Sequence, residues 1–433
     1  MDDFALHQEL QDIDDESEDD DEILQMQAAS AIIILGAEEA RERRIEQRRH
    51  KRLYLRRQEL SSPQETSAWQ RLRENANDRA FITTMGFDVS TFKYILESGF
   101  MNRWVNSTIP REDTCDAGVA RPARRSLDAY GALALILHYL NSTMREVSLQ
   151  EIFGLIPTTV SRYINFAMKI LLETLQKDIK EASIQWPLVE EFEELNDIIL
   201  SRHDLLIGAF GTVDGLNLPV QTAEDVEIEN ATHNGWLHSH FVLSVLVFSP
   251  KGTIIAAALN APGSWHDSRV AASIYNKLLN DTPEGYYLVA DTAFPRGTDY
   301  IEGRIKAPHK VGQRLRGTQI EIHEQMRFNR QILSYRQSAE WGMRTLQGSF
   351  GRLRIPLEIH HTKRRADLLE VCVRLNNLRA TRVGINQIRT VYLENWKRST
   401  ENQQVWDAFE YMLFGDQQKF DRVSNFHTSI QYT

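Results

Sequence analysis

"GYYLVADTAFP", residues 285–295, reads as a buried strand that ends on a charge. Tyr286 and Tyr287 are followed by Leu288, Val289 and Ala290, a short apolar run of the kind a sheet buries on both faces. The next residue is Asp291. In an open α/β sheet the strand tips line the ligand crevice, so a buried strand delivering a carboxylate marks a candidate site.

The surrounding sequence supplies the rest of that sheet. "LLIGAFGTVDGLNLPV" (205–220) is strand-like and carries Asp214, which reads as the end of the first strand. "HFVLSVLVFSP" and "KGTIIAAALNAPG" (240–263) predict two strands around a tight Pro250-Lys251-Gly252 turn. "DSRVAASIYNKLLN" (267–280) predicts a helix with Asp267 or Ser268 near its cap. "RIKAPHK" (304–310) is a short strand or its exit, and residues 318–350 are helical in pattern. Strands and helices in this order predict an α/β mixed sheet over residues 201–385.

Residues 78–200 have a different texture. "SLDAYGALALILHYLNS" places Leu127, Tyr130, Leu133, Ala134 and Leu137 on one helical stripe. "SLQEIFGLIPTTVSRYINFAMKILLETL" (148–175) predicts a short helix after Ser148 with Glu151 three residues on, a break at Gly154, and a second helix from Pro157. Two helices around a short glycine-containing turn outline either a plain helical hairpin or a helix-turn-helix, in which Thr158, Thr159, Ser161 and Arg162 would face DNA.

The chain has 433 residues, 42% hydrophobic and 25% charged, which suits a globular protein with room for a large core. Two cysteines are too few for a disulfide scaffold, so a reducing compartment fits. The apolar run at 28–37 is too short to span a membrane and follows an acidic tract, so no membrane partner is expected. Net charge is −10, but it is unevenly spread. Every residue from Asp14 to Glu22 except Ser17 is acidic, and residues 1–37 are expected to be disordered. Residues 38–77 read as a basic helical arm and linker; nine of the seventeen residues from Arg41 to Arg57 are Lys or Arg, a solvated helix or a nuclear-import or DNA-contacting arm. Between residues 301 and 390, 18 Lys and Arg stand against 7 Asp and Glu, and a polyanion meets that local field rather than the average. Residues 386–433 read as an accessory helical tail.

Three carboxylates stand out by position: Asp214, Asp291, and Glu340 in "YRQSAEWGMRTLQGSFGRL". Each has a local explanation. Asp214 could serve an Asp-Gly turn, Asp291 could cap a turn, and Glu340 could pair with Arg336 and Arg344 along one helix face. Brought together, they describe a metal site. Two carboxylates at about 4 Å and an effective dielectric of about 20 repel by about 4 kcal/mol, which demands a proton or a cation between them. Magnesium is the first candidate and manganese the second, both taking oxygen ligands. A pair of such ions drives in-line displacement at phosphorus.

The order of motifs resembles the PIF/Harbinger transposases and the nucleases derived from them, a branch of the DDE superfamily with an RNase H-like core. "LALILHYLNSTMREVSLQEIFGLIPTTVSRYI" resembles that family's helix-turn-helix segment, "GTVDGLNLPV" its first acidic motif, "GSWHDSRV" a middle motif and "LVADTAFP" the second acidic motif. "NRQILSYRQSAEWGMRTLQGSFGRLRIPL" resembles the third, with its Asn, Arg and Glu. The resemblance covers about residues 80–385. It departs at Leu216 and Asn217, where the family usually has Thr-His, and at Ile156, where a Ser often caps the second helix.

The resemblance implies an RNase H-like mixed-sheet catalytic domain preceded by a helix-turn-helix-like domain, and a DNA endonuclease or transposase with Asp214, Asp291 and Glu340 as metal-binding triad. His266, Asp267, Asn329 and Arg336 are candidate accessory residues; Asp267 either caps its helix or approaches the metals. Lys363, Arg364 and Arg365 either contact the DNA backbone or form a solvated basic face. The resemblance further implies duplex DNA at transposon ends as substrate, a Myb-like DNA-binding partner and a nuclear location, with a cytoplasmic pool and self-association left open. Two other readings stand beside it: a domesticated, non-catalytic DNA-binding scaffold, and an RNase H-like nuclease acting on RNA or hybrids.

Overall fold

The structure, a computed structural model, describes residues 26, 30, 35–45, 56–110, 118–294, 301, 303–309 and 315–393. The chain divides into two compact units, Met1–Leu60 and Ser61–Thr433. In the first, residues 35–45 form helix α1, exposed along its length, with one surface ion pair between Arg43 and Glu39 at 3.3 Å. The expectation of disorder up to residue 37 falls almost wholly outside the described residues, as does the tail beyond residue 393. The stretch read as a basic arm ends sooner than expected. The second unit starts at Ser61, and Trp69 is already buried in its core.

The second unit opens with α2 (Ala68–Asn75), α3 (Asp78–Met85), α4 (Val89–Ile95) and α5 (Met101–Asn106), then α6 (Ala129–Asn141), α7 (Glu146–Phe153), α8 (Pro157–Lys177) and α9 (Glu191–Leu200). Side-chain caps start several of them: Asn77, Asp88 and Asp128 accept from the N–H of Ala80, Thr91 and Gly131. Helix α6 is buried continuously from Gly131 to Leu140, so it is a central helix rather than one with a single apolar stripe. Helix α7 begins at Glu146, two residues before Ser148, which therefore lies inside the helix and caps nothing; the acidic Glu146 suits the first turn. The break at Gly154 and the restart at Pro157 are as the sequence predicts, with Gly154 in the left-handed region at φ 64°.

The sheet is built from β1 (Ala209–Pro219), β2 (His233–Asn234), β3 (Ser239–Phe248), β4 (Ile254–Pro262), β5 (Tyr287–Ala290) and β6 (Ile305–Lys306). Strand β3 lies between β1 and β4 and is antiparallel to both, and β2 pairs with its first residues. On the other side of β1, β5 and then β6 run parallel. The remaining helices are α10 (Val226–Thr232), α11 (Asp267–Val270), α12 (Ala272–Asn280), α13 (Gln319–Ser349), α14 (Thr362–Leu378) and α15 (Gln387–Leu393). The result is a mixed α/β architecture.

Strand alternation divides the core. Leu216 and Leu218 of β1, with Leu246 and Phe248 of β3, pack in one cluster with Leu135 and Leu171 of the first helices and Leu346 and Cys372 of the last. Phe210, Val213, Val245 and Val247 point the other way and meet Ile274 and Leu278 of α12. The helical region 78–200 and the sheet region 201–385, expected as separate domains, thus share one hydrophobic cluster. The reason is physical: a sheet face this apolar needs a cover, and α6, α8, α13 and α14 supply it together.

Helix α13 has its start fixed by a capping box, in which Thr318 accepts from the Glu321 N–H and Glu321 accepts from the Thr318 N–H. Its middle presses on the sheet. A Cβ added to Gly342 would come within 2.4 Å of the buried Phe248 ring. Only glycine allows α13 that close.

Candidate active site

Strand β5 stops at Ala290 while β1 continues to Pro219. Val213 and Ala290 are the last pair in their parallel register. Asp214 and Asp291 are therefore the next residue on each of two adjacent strands. Asp214 is not at the end of β1, as the sequence suggested, but in its middle; it is β5 that ends. Strand β1 runs on because β3 keeps pairing with it as far as Pro219 opposite Phe241.

Asp214 is half-buried, and its Oδ1 accepts from the Gly215 N–H at 2.8 Å. Burial pushes its carboxyl up to about 6; the Gly215 N–H and the Arg336 charge oppose this, while Asp291 and Asp267 add to it. These groups thus sense one another electrostatically, as the clustering of carboxylates requires.

Arg336 joins two of the expected triad. Its Nη1 lies 3.4 Å from Asp291 Oδ2 and its Nη2 donates to Glu340 Oε1 at 3.1 Å, one turn further along α13. Glu340 thus takes up one of the two helix-face partners the sequence offered, while Arg344 is exposed. The Arg336 Nε is buried without a hydrogen-bond partner. Since the Asp291 and Glu340 side chains are 43% and 42% exposed, each pair is worth about 0–1 kcal/mol and can be exchanged for another cation cheaply.

Asp267 belongs to the same place. The sequence left it between capping and site; the N-cap position of α11 is His266, which makes no side-chain cap bond. The Asp267 carboxylate instead lies over the backbone of Gly215, where a Cβ would meet its Oδ2 at 2.5 Å. Burial raises its pKa, the His266 charge lowers it, and Asp291 raises it further. The signal for this residue was the "HDS" of the middle motif. What the sequence could not supply was that Gly215, next to Asp214, is the surface it covers.

Other expected site residues are scattered. His266 is exposed and lines the cavity beside Asp267. Asn329 accepts from the His309 N–H at 2.8 Å and so braces the segment after β6. Of the four residues expected to face DNA on α8, Thr158 is exposed and Ser161 and Arg162 are half-buried, but Thr159 is buried against the core. Arg365 is also buried and corrects both readings of its cluster: it donates to Asn260 Oδ1 and to the carbonyls of Glu358 and Ile359. Arg364 pairs with Glu358 at 3.2 Å, and Lys363 alone of the three is fully exposed.

Among the described residues no three His, Cys, Asp or Glu side chains are grouped so as to hold a metal ion. The donor set itself suits a hard divalent cation, because Asp214, Asp267 and Asp291 are oxygen donors whose mutual repulsion a cation would relieve. In the present arrangement the guanidinium of Arg336 supplies that countercharge.

Residues 213–377 match the family model of the DDE superfamily endonucleases. No curated protein and no solved structure matches the chain. The DDE endonuclease match begins one residue before Asp214 and takes in Asp267, Asp291, Arg336 and Glu340. It points to a nuclease or transposase chemistry for this segment, and the mixed sheet is compatible with a DDE nuclease domain. The match does not extend to the helices α2–α9.

Proposed function

We propose that the chain is a metal-dependent DNA endonuclease of the Harbinger transposase type, with an RNase H-like catalytic domain. It cuts phosphodiester bonds at transposon ends and, if the reaction runs to completion, joins them to target DNA. The observation that carries this reading is the placement of Asp214 and Asp291 directly after the last paired residues of the adjacent strands β1 and β5, with Arg336 linking Asp291 to Glu340. Asp214, Asp291 and Glu340 would hold magnesium or manganese, and such ions, when bound, supply Lewis-acid charge for in-line displacement at phosphorus.

The protein groups have their own tasks. Pairing with β3 holds the β1 backbone at Asp214, while Asp291 lies just beyond the end of β5. Arg336 keeps Asp291 and Glu340 oriented and neutralised, and its charge is available to a substrate phosphate when a cation takes the carboxylates. Asp267 adds negative charge over Gly215. The basic excess of residues 301–390 gives the DNA backbone its attraction, so binding weakens with salt. A Myb-like DNA-binding partner that recognises the ends, a nuclear location and a helix-turn-helix role for α7 and α8 belong to the same proposal.

The test is incubation of the purified chain with plasmid DNA and magnesium, alongside Asp291→Asn. Nicking that disappears in the variant supports the endonuclease. A second reading, a non-catalytic DNA-binding scaffold, is favoured by one observation: the Arg336 ion pairs already satisfy Asp291 and Glu340. DNA binding without nicking by the wild-type chain would decide for the scaffold.

A further inference from the structure

Beside the carboxylate cluster lies a cavity of about 730 Å³ whose walls run from Asp267 and Asp291 to Trp236 and Trp265. These two indoles are singular. Among the described Phe, Tyr and Trp residues they alone are exposed, Trp236 at 90% and Trp265 at 37%. Every other described aromatic is buried or half-buried, many in ring clusters such as Trp69 with Phe81, Phe92 and Phe153. A chain that buries its aromatics this thoroughly exposes two of them in one place, next to its candidate catalytic groups.

The exposed position is built, not left loose. Trp236 sits on the turn between β2 and β3, where Asn234 Oδ1 accepts from the N–H of both Trp236 and Leu237 at 3.0 Å. The same Asn234 donates through Nδ2 to the Gly263 carbonyl at 3.1 Å, tying the turn of Trp236 to the loop of Trp265. The Arg269 guanidinium lies 3.9 Å from the Trp265 ring centre, covering one indole face and placing a cation there. On the β1 wall, Asn217 Oδ1 is buried with no hydrogen-bond partner. The cavity thus offers aromatic plates and a nearby cation.

A ligand matching that set is flat, aromatic and joined to phosphate. A nucleobase meets each requirement, and stacking on Trp is tolerant of which base it is. A base within a duplex has both faces covered by its neighbours, so the occupant must be unpaired. We propose that Trp236 and Trp265 form a stacking site for one unpaired DNA base next to the candidate catalytic carboxylates. The proposal rests on the nuclease reading for the identity of its ligand, and it adds a substrate feature: DNA with a single-stranded or melted segment at the cut.

The experiment compares two probes on the full chain: a DNA hairpin with a flush end, and the same hairpin with a short single-stranded tail carrying 2-aminopurine. The wild-type chain is expected to bind the tailed hairpin more tightly and to quench the 2-aminopurine fluorescence. Trp236→Ala should weaken tailed binding by roughly tenfold or more, the range of one base–aromatic stack, restore the fluorescence, and leave flush-hairpin binding unchanged. Trp236→Phe should retain most of the preference. Wild-type preference and quenching in Trp236→Ala, no preference in the wild type, or an equal loss for both hairpins would each overturn the proposal. Plasmid nicking measured in parallel separates the two ideas. Nicking without a Trp236-dependent preference removes the base site and keeps the nuclease; the preference without nicking does the reverse. Failure to bind either hairpin removes the base site, and with no plasmid nicking it removes the nuclease as well.

Discussion

Asp214 costs the fold something. Burial keeps its carboxyl protonated up to about pH 6, whereas the unfolded chain releases that proton near the ordinary value of about 3.9. Between these values the folded state binds more protons than the unfolded state, so this residue's contribution to stability falls as pH rises from about 4 to about 6 and stays low above that. Asp214→Asn removes the ionisation and keeps an acceptor for the Gly215 N–H. It is expected to gain on the order of 2 kcal/mol over wild type near neutral pH and nothing near pH 4, while losing nicking. Thermal melts of both proteins across this range check it; a pH-independent gap between them would contradict it. Such a trade is expected of a group placed for chemistry rather than packing. At this scale the sequence was informative about identity and uninformative about neighbours. Asp214, Asp291 and Glu340 could be named because strand texture and a family-like motif order point at them. That Arg336 also reaches Asp291, and that Asp267 covers Gly215, could not be named, because both are contacts between residues tens of positions apart.

Helix α13 shows how an element carries a site. It brings Arg336 and Glu340 to the sheet, and its distance is set by Gly342 against Phe248. Gly342→Ala pushes a methyl into a fully buried ring, so it is expected to destabilise by about 1–3 kcal/mol and to move both site residues together. Lower thermal stability with nicking reduced more than tenfold is the expected result; a melt and activity equal to wild type would show that the ring can yield. Helix α14 makes a different point. Arg365 looks like a DNA-contacting residue in "KRR" yet is buried, holding Asn260 of β4 and two carbonyls ahead of its own helix. Arg365→Ala leaves those acceptors without that donor and should cost about 2–4 kcal/mol, with the salt dependence of DNA binding unchanged. Lys363→Ala should leave the melt alone. A salt slope reduced in Arg365→Ala with an unaltered melt would restore the DNA-contact reading.

At the scale of the molecule, the second unit is held together by one cluster that runs from α6 and α8 through the sheet to α13 and α14. The segment matched to DDE endonucleases is therefore not a free-standing body: Leu216, Leu218, Leu246 and Phe248 lose part of their cover without the helices before it. A fragment of residues 201–393 is expected to be insoluble, or compact without fixed packing. Residues 61–393 should unfold in a single cooperative transition by calorimetry. Two separated transitions, or a soluble fragment with a sharp melt, would show independent domains.

Strand and helix texture, the helix restart at Pro157, and the acidic residues at 214, 291 and 340 were legible along the chain, because each depends on a few neighbouring residues and on periodicity. The joining of the helical and sheet regions into one core, the burial of Arg365 and Thr159, the position of Asp214 within β1, and the company that Asp267 and Arg336 keep were settled only by folding. Those features depend on which distant surfaces exclude water together, and burial is a property of the packed whole that no short stretch encodes.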